Sequence, residues 1–309
     1  MWIGKHRSWI TTVLLGGFVL PHIWLRTLLV TGLSVLVTLL YHRYLHFSLK
    51  TAPFVMIGMP LGIFLGFRNN TAYDRFWEAR KLWGALVNTS RSFTRQTLTL
   101  VEPPTEADKK AVRAHEVRIV NVLIGHVHAL RHFLRGSSPL GTLEKFLEPA
   151  DLACVRDDPN PPLALVYRLW ELLREARHKR WIDPYHVPIL EQSLASFTDI
   201  QGACERIKNT PIPYSYTVLM HRIVAGYCAL LPFGLAEDIG WATPIVVLCI
   251  SYTFFGLDAI GDEIEDPFGL DKNDLPLKSI ARKIEIDCRR LMGDAFVPKP
   301  VQPKRGILQ

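Results

Sequence analysis

Apolar residues in this chain are concentrated in four stretches, and this clustering limits its fold more than any other feature. The stretches run from Thr27 to Tyr41, Ala52 to Phe67, Ile223 to Ala236 and Trp241 to Leu257. Each is slightly shorter than the ~20 residues that a helix needs to cross a bilayer, so each alone could be a buried helix of a soluble protein. They occur as two pairs, each joined by a short link. This pairing predicts two helical hairpins in a membrane.

Composition excludes a disordered chain. Of the 309 residues, 49% are hydrophobic and 21% are charged, which is far more apolar surface than an unfolded chain could leave in water. The net charge of +7 is compatible with nucleic-acid binding, but Lys and Arg alternate with Asp and Glu and form no dense basic run. We therefore predict no nucleic-acid partner. A membrane protein with a positive cytosolic part accounts for the same charge.

Between the two pairs lies a long segment of amphipathic helical character. Apolar residues recur at helical spacing within residues 75–92 and 108–134, with charged residues between them. No alternating strand pattern is present, so the prediction is an all-α chain. The long segment carries most of the Lys and Arg, which places it and both termini in the cytosol and the two short links outside. An apolar stretch from Trp9 to Leu20 resembles a signal peptide, but Pro21 and Arg26 follow it, so we expect it to be retained.

These observations predict four regions. Residues 1–67 contain the first two membrane helices, the second over 52–67; residues 68–214 form a cytosolic helical region; residues 215–261 contain the third and fourth membrane helices; and residues 262–309 form a cytosolic C-terminal segment.

The second apolar stretch contains two ridges with a period of four residues. Gly58, Gly62 and Gly66 form a small ridge that allows close approach of another backbone in lipid. The adjacent large ridge is apolar and lies about 100° around the helix. Copies of this helix around an axis would stack that ridge as three rings, a constriction that can gate ions by dewetting. The simpler interpretation is an ordinary membrane helix facing lipid. The large ridge consists of Met59, Ile63 and Phe67.

Acidic residues follow the last apolar stretch. Asp258, Asp262 and Glu265 fall at i, i+4 and i+7 on one helical face, and Asp266 is next to them. Carboxylates there could hold a divalent cation, attract permeating cations, or pair with arginines. His221 and Arg222 interrupt the expected third helix near its cytosolic end, where an ionisable residue suggests a function.

Enzyme motifs are missing from the sequence, including a nucleophile elbow, a zincin helix, a P-loop and a dinucleotide-binding loop. His126, His128 and His132 occur close together, but their spacings place the rings on different faces of a helix. We predict no metal site and no enzyme. The alternative from another class is a membrane-embedded, metal-dependent lipid-modifying enzyme that uses Asp258, Asp262 and Glu265.

Several motifs resemble the bacterial bestrophin family. They are Gly66-Phe67-Arg68-Asn69 with Tyr73 and Glu78-Ala79-Arg80, the stretch from Cys204-Glu205-Arg206 to Thr210-Pro211-Ile212-Pro213, and Glu263 to Gly269 followed by Asn273 to Leu277. The resemblance spans most of the chain in the same order. It implies a homopentameric channel with four membrane-spanning helices per subunit and a large helical cytosolic region around one pore.

The resemblance also implies roles for individual residues. Met59, Ile63 and Phe67 match the residues that line the family's hydrophobic neck, and Tyr185 matches a second aperture at the cytosolic exit. Animal relatives hold calcium in an acidic run, but Leu270 and Lys272 replace carboxylates here, so we predict no calcium site and no other cofactor. Pro60 departs from the family and could kink the neck helix.

The resulting prediction is an ion channel in a bacterial inner membrane. Its predicted partners are other copies of the same chain and the lipid bilayer. The permeating ions are predicted to be small monovalent cations, Na⁺ and K⁺. Cation permeation is implied by the resemblance to bacterial members, and an anion channel, conducting chloride, of the same architecture is the alternative.

Overall fold

The computed structural model describes residues 20–44, 47–304 and 306–308. Within these ranges the chain is helical, and β pairing is limited to two isolated bridges. The prediction of an all-α fold is confirmed. The stretch from Trp9 to Leu20, which we expect to be retained, falls almost entirely outside the described residues.

The described residues form ten α-helices, which we number α1 to α10. In chain order they are Leu20–Arg43, Ala52–Leu100, Lys109–Leu134, Leu140–Leu143, Pro149–Arg156, Pro161–His178, Val187–Asn209, Tyr214–Ile239, Thr243–Glu265 and Leu277–Met292. Short 3₁₀ turns cover Glu106–Asp108, Pro184–His186 and Gly240–Ala242.

The chain divides into two compact units. The described residues up to Trp77, together with Pro211–Pro267, form what we call the membrane unit. Residues Glu78–Thr210 and the chain from Phe268 form the helical unit. Helix α2 is continuous from Ala52 to Leu100, so the expected boundary after residue 67 and the boundary between the two units, after Trp77, both fall inside one helix. The division into four regions stays a prediction.

Among the described residues, three helical spans are long and apolar enough to cross a membrane, namely Pro21–Arg43, Ala52–Leu100 and Tyr214–Glu265. The last of these contains both α8 and α9, separated by the turn at Gly240–Ala242. Gly240 has a φ of 54°, a left-handed conformation that glycine adopts without steric cost. Each of the four apolar stretches thus lies in or overlaps a helix of its own.

The two short links of the membrane unit meet each other. The Leu49 amide donates to the Phe233 carbonyl over 2.9 Å, and Ser48 donates to the carboxylate of Glu237. The rings of His42 and Trp241 stack with centroids 4.6 Å apart. Glu237 and Asp238, which lie between the third and fourth apolar stretches, belong to the last turn of α8. Both hairpin links therefore lie at the same end of this unit.

The helical unit is built around α3. This helix packs against α6 and α10, and α6 also packs against α5 and α7. The segment of α3 from Ile119 to Leu130 is buried on almost every side, as expected for a central helix rather than a surface one. The core of this unit is therefore an ordinary soluble one, with apolar side chains inside.

Candidate pore helix and its anchoring cluster

Helix α2 has one exposed face and one buried face along its first part. Met59, Ile63 and Phe67 are 69%, 52% and 60% exposed in the single chain. At 100° per residue these three side chains lie within an arc of about 80°. The opposite face is buried and consists of Phe54, Leu61, Leu65, Arg68 and Ala72. The predicted large ridge is therefore one continuous apolar face that the rest of its own unit does not cover.

The glycine ridge has two different environments. A methyl group added at Gly58 would lie 2.6 Å from the Tyr227 hydroxyl of α8, so the absence of a side chain allows that helix to approach. An added methyl group at Gly62 or Gly66 would meet no atom of the described residues within 4 Å. Only the first glycine packs closely within this chain.

Pro60 does not interrupt the helix. It lies inside α2, which continues for forty residues after it. Because proline has no backbone N–H, it removes the hydrogen bond to the carbonyl four residues earlier. The helix is therefore locally weakened beside Met59 without being broken.

A buried ion-pair cluster follows the apolar ridge directly. The Arg68 side chain is fully buried, and its Nη1 lies 2.7 Å from Asp258 Oδ1 on α9. Its Nη2 donates to the carboxylate of Asp262, one turn further along α9. A buried charge is costly unless it is paired, so these contacts fix the rotation of α2 relative to α9 next to Phe67.

His221 connects the third helix of the membrane unit to this cluster. Its Nδ1 lies 2.7 Å from Asp258 Oδ2, and its Nε2 lies 3.7 Å from Asp262 Oδ2. His221, Asp258 and Asp262 have ligand atoms close enough to hold a metal ion. The guanidinium of Arg68 already lies against both carboxylates, and its positive charge disfavours a second cation there.

The other predicted acids do not join this cluster. The Glu265 carboxylate accepts a hydrogen bond of 3.0 Å from the Ile212 amide, and its carbonyl accepts one of 3.2 Å from Arg75 Nε. Asp266 is an exposed residue just after the last turn of α9. The i, i+4, i+7 spacing therefore places two carboxylates on the buried arginine and the third on a backbone amide.

Tyr185 lies in the helical unit, in the 3₁₀ turn just before α7. It is 87% exposed, and its amide donates to Asp183 Oδ1 over 2.9 Å. The capping carboxylate holds this turn, so the ring is presented outward from a fixed backbone.

The three neighbouring histidines of α3 have separate environments. His126 Nδ1 lies 3.0 Å from the Pro162 carbonyl, His128 stacks on Phe146, and His132 bonds to Ser137. Full burial lowers the pKa of His126 to about 4, and burial together with Arg131 lowers the pKa of His132 to about 4. These rings are neutral core groups at neutral pH rather than a convergent ligand set.

The run that corresponds to the calcium site of animal relatives is held by its own backbone. The Asp274 carboxylate is buried and accepts a hydrogen bond of 2.6 Å from the Asp271 amide. The absence of a calcium site remains a prediction from Leu270 and Lys272.

The structural importance of Arg68 was not predicted from the sequence. Arg68 belongs to the Gly-Phe-Arg-Asn motif, and its partners are 190 and 194 residues away. The available signal was an ionisable residue directly after an apolar stretch, in a chain with carboxylates at the end of another apolar stretch.

Comparison with known proteins places this geometry in a family. The family described as bacterial/fungal bestrophin protein matches residues 1–290. A voltage-dependent anion channel-forming protein of Ralstonia nicotianae is 39% identical over 312 residues, which cover 100% of both chains. A protein of the same description from Escherichia coli K12 is 36% identical and covers 99% of this chain and 98% of the relative.

Solved structures give the same result for the fold. A bacterial bestrophin homologue from Klebsiella pneumoniae, solved by Zn-SAD phasing, has a TM-score of 0.83 and 32% identity. The match covers 89% of this chain and 100% of that one. A variant of the Klebsiella homologue with a tryptophan replaced has a TM-score of 0.82 and 33% identity, over 90% and 99% of the two chains.

The relatives' names correct one expectation. They describe anion channels, whereas the resemblance led us to expect a channel for cations. They bear out the broader prediction of an ion channel in a membrane rather than an enzyme. The chain belongs to the bacterial/fungal bestrophin family, and it is an ion-channel protein of the membrane.

Proposed function

We propose that this chain is one subunit of a homopentameric channel of the bacterial inner membrane, with four membrane-spanning helices per subunit. Helices α1, α2, α8 and α9 carry the four apolar stretches. Since both hairpin links lie at one end of the membrane unit, the spans alternate in direction, and the long helical segment and both termini lie on the cytosolic side.

The observation that carries this proposal is the uncovered apolar face of α2. A large apolar face that its own chain leaves open must be covered by lipid or by other copies, or must line a cavity. Five copies of Met59, Ile63 and Phe67 around an axis form three rings about 6 Å apart along the helix. Such a neck gates ions because a narrow apolar passage holds water poorly. Tyr185 forms the second constriction, at the cytosolic exit.

We propose that the buried cluster orients this neck. Arg68 follows Phe67 directly and pairs with Asp258 and Asp262, and Asn69 Nδ2 donates to the Leu257 carbonyl over 3.0 Å. These contacts lie on the side of α2 opposite the open face, so they hold the ridge turned toward the axis. In this proposal the side chains of Arg68, Asn69, Asp258 and Asp262 act by holding the helices in position. No calcium or other cofactor is required.

Anions are the first candidate for the permeating ion, because the curated relatives are named as anion channel-forming proteins. Monovalent cations such as Na⁺ and K⁺ are the second candidate, favoured by an exposed carboxylate that continues the open face of α2 at Asp74. The rings themselves are uncharged and favour neither class. The reversal potential of the reconstituted protein in an asymmetric salt gradient decides between the two.

The neck is tested by matched substitutions on one helix. Ile63→Ala and Phe67→Ala should rehydrate the constriction and raise single-channel conductance in planar bilayers severalfold. Ile57→Ala and Phe64→Ala are the controls, because these residues are about half exposed but lie about 120° and 100° around the helix from Ile63. Equal conductance changes in all four variants, or none in the first two, would remove the ridge from the pore.

A further inference from the structure

The open face of α2 continues beyond the three apolar rings. Asn70 and Asp74 follow Phe67 by three and seven residues, and both are exposed. Eleven residues after Ile63, Asp74 points within about 20° of the same direction. At 1.5 Å per residue its Cα lies ~10 Å beyond that of Phe67 along the helix. Both residues belong to the membrane unit, like the ridge itself.

The carboxylate of Asp74 is available to solvent. Nearby arginines are engaged elsewhere, since Arg68 pairs with α9 and Arg75 Nε donates to the Glu265 carbonyl. In the part of the chain that the structure describes, the Asp74 side chain has neither a hydrogen bond nor an ion pair. Its charge is therefore not neutralised by a neighbour in its own chain.

We propose that Asp74 sets the charge preference of the pore, as a carboxylate ring just beyond the hydrophobic neck. The inference rests on the proposed pore, in which five copies of this face surround one axis. The neck rings carry no charge, so the first ionised group on the same face dominates the local potential. A ring of negative charge beside a low-dielectric constriction concentrates cations and repels anions.

Asp74 makes the same contribution whether the intact channel is selective for anions or for cations. If the intact channel passes mainly anions, Asp74 reduces that preference and basic groups elsewhere outweigh it. If it passes mainly cations, Asp74 is a principal source of the preference. In both cases neutralising Asp74 shifts permeability in the same direction, toward anions.

The size of the effect follows from screened Coulomb interactions. Five unit charges about 12 Å from the axis in water, screened over a Debye length of ~10 Å at 0.1 M salt, change the cation-to-anion permeability ratio by about fivefold. At 1 M salt the Debye length falls to ~3 Å, and the effect of the ring should largely disappear.

The test uses the full-length protein reconstituted in planar bilayers with a KCl gradient. Asp74→Asn should lower the K⁺-to-Cl⁻ permeability ratio about fivefold at 0.1 M salt, and Asp74→Lys should lower it further. Asp74→Glu should leave the ratio unchanged. Asp157→Asn is the matched control, because it removes an exposed carboxylate from a loop of the helical unit.

A second measurement avoids variants that fail to assemble. Cys154 and Cys249 are the exposed cysteines among the described residues, so Asp74→Cys is made with both replaced by serine. Assembled channels are then treated with a negatively charged sulfonate or a positively charged trimethylammonium thiol reagent. The sulfonate should restore the original reversal potential, and the ammonium should shift it in the opposite direction.

The outcomes separate the two proposals. If wild-type protein conducts no ions, the proposed channel itself is wrong. If it conducts but neither Asp74 substitution nor either thiol reagent changes the reversal potential, the channel stands and the role of Asp74 is wrong. A shift in the stated direction that vanishes at 1 M salt supports the assignment.

Discussion

The two compact units place polar and apolar side chains in opposite ways. In the helical unit, apolar side chains fill the interior around α3, and most charged side chains are outside. In the membrane unit, Trp24, Leu29 and Ile245 are 54%, 64% and 67% exposed, whereas Arg68 and Asp258 are 1% exposed. A membrane protein can leave this much apolar surface open and bury a charged pair, because lipid covers its apolar side chains.

The buried polar groups also differ in their distribution. The helical unit spreads them over several sites, among them His126 between helices and Asp151 between two arginines. In the described part of the membrane unit, the buried charges are concentrated in the single cluster at Arg68. The helical unit should therefore respond to pH in several steps, while the membrane unit should depend on one set of contacts. The following predictions test this contrast, starting with the largest effect.

Removal of Arg68 should have the largest effect. Arg68→Ala leaves the buried carboxylate of Asp258 without its main partner, at a cost of about 3–5 kcal/mol. We expect the purified protein to lose most of its oligomer and to melt at a much lower temperature, as measured by size exclusion and thermal unfolding in mild detergent.

The double variant makes this test specific. Arg68→Ala combined with Asp258→Ala removes both charges, so part of the lost stability should return. Arg222→Ala, which removes an exposed arginine of α8, is the control and should have little effect. If the double variant is as unstable as the sum of its parts, the two side chains do not stabilise each other and the single-cluster view is wrong.

Acid should destabilise the helical unit before its carboxylates titrate. Burial lowers the pKa of His126 from the ordinary 6.5 to about 4 and lowers that of His115 and His128 as well. Because the unfolded chain then binds more protons, stability is complete above pH 6.5 and falls progressively toward pH 4. The shift at His126 alone corresponds to roughly 3 kcal/mol.

This pH dependence is measured by thermal unfolding of the full chain between pH 7.5 and pH 4. His126→Gln should flatten the curve in that window, whereas the exposed His178→Gln should not. A curve that stays equally steep in both variants would mean that the buried ring is not the source of the acid sensitivity.

Asp151 should contribute less, and at a lower pH. Arg118 Nη2 and Arg168 Nε lie 2.8 Å and 2.7 Å from its Oδ1. Burial alone would raise the pKa of Asp151, but the two arginines outweigh burial and lower it. Its stabilisation is present above pH 3.8 and is lost as the pH falls below that value.

We expect Asp151→Asn to cost about 2 kcal/mol at pH 7, since it removes a charge that both arginines share. Urea unfolding at pH 7 and pH 3.5 measures this difference, which should shrink at the lower pH. Asp157→Asn, in the exposed loop after α5, is the matched control. A deficit that is the same at both pH values would show that the packing of Asp151, rather than its charge, is important.

The sequence was sufficient for the local features and insufficient for the distant ones. Hydropathy located the four apolar stretches, and four-residue spacing located the ridge of Met59, Ile63 and Phe67, because both depend only on helix geometry. Hydrophobic spacing could not predict where α2 ends, since no proline occurs between Phe67 and Leu100. Helix continuity therefore had to come from the structure.

The sequence could not predict which side chains far apart in the chain pair with each other. Spacing put Asp258, Asp262 and Glu265 on one face but left the partner open, because Arg68 is one of many arginines and lies about 190 residues away. Glu265 differs from the two aspartates because Ile212, in the Thr-Pro-Ile-Pro segment, presents a free amide to it. Side chains on one face of a helix can therefore contact two different partners.

The smallest effect should come from the glycines, and it distinguishes packing within a subunit from packing between subunits. Gly58→Ala collides with the Tyr227 hydroxyl, which can shift, so it should cost about 1 kcal/mol in any oligomeric state. Gly62 has open space around it in the single chain. Since alanine favours a helix over glycine by ~0.5–1 kcal/mol, Gly62→Ala should slightly stabilise an isolated subunit.

If a neighbouring subunit packs against Gly62, the two substitutions therefore change different quantities. In mild detergent Gly62→Ala should reduce the fraction of oligomer while leaving the helical content unchanged, and Gly58→Ala should lower the melting temperature of oligomer and monomer alike. Light scattering after size exclusion measures the first effect, and circular dichroism measures the second. An oligomer fraction that is unchanged or higher in Gly62→Ala would mean that this side of α2 faces lipid, because alanine then adds helix stability without displacing a neighbour.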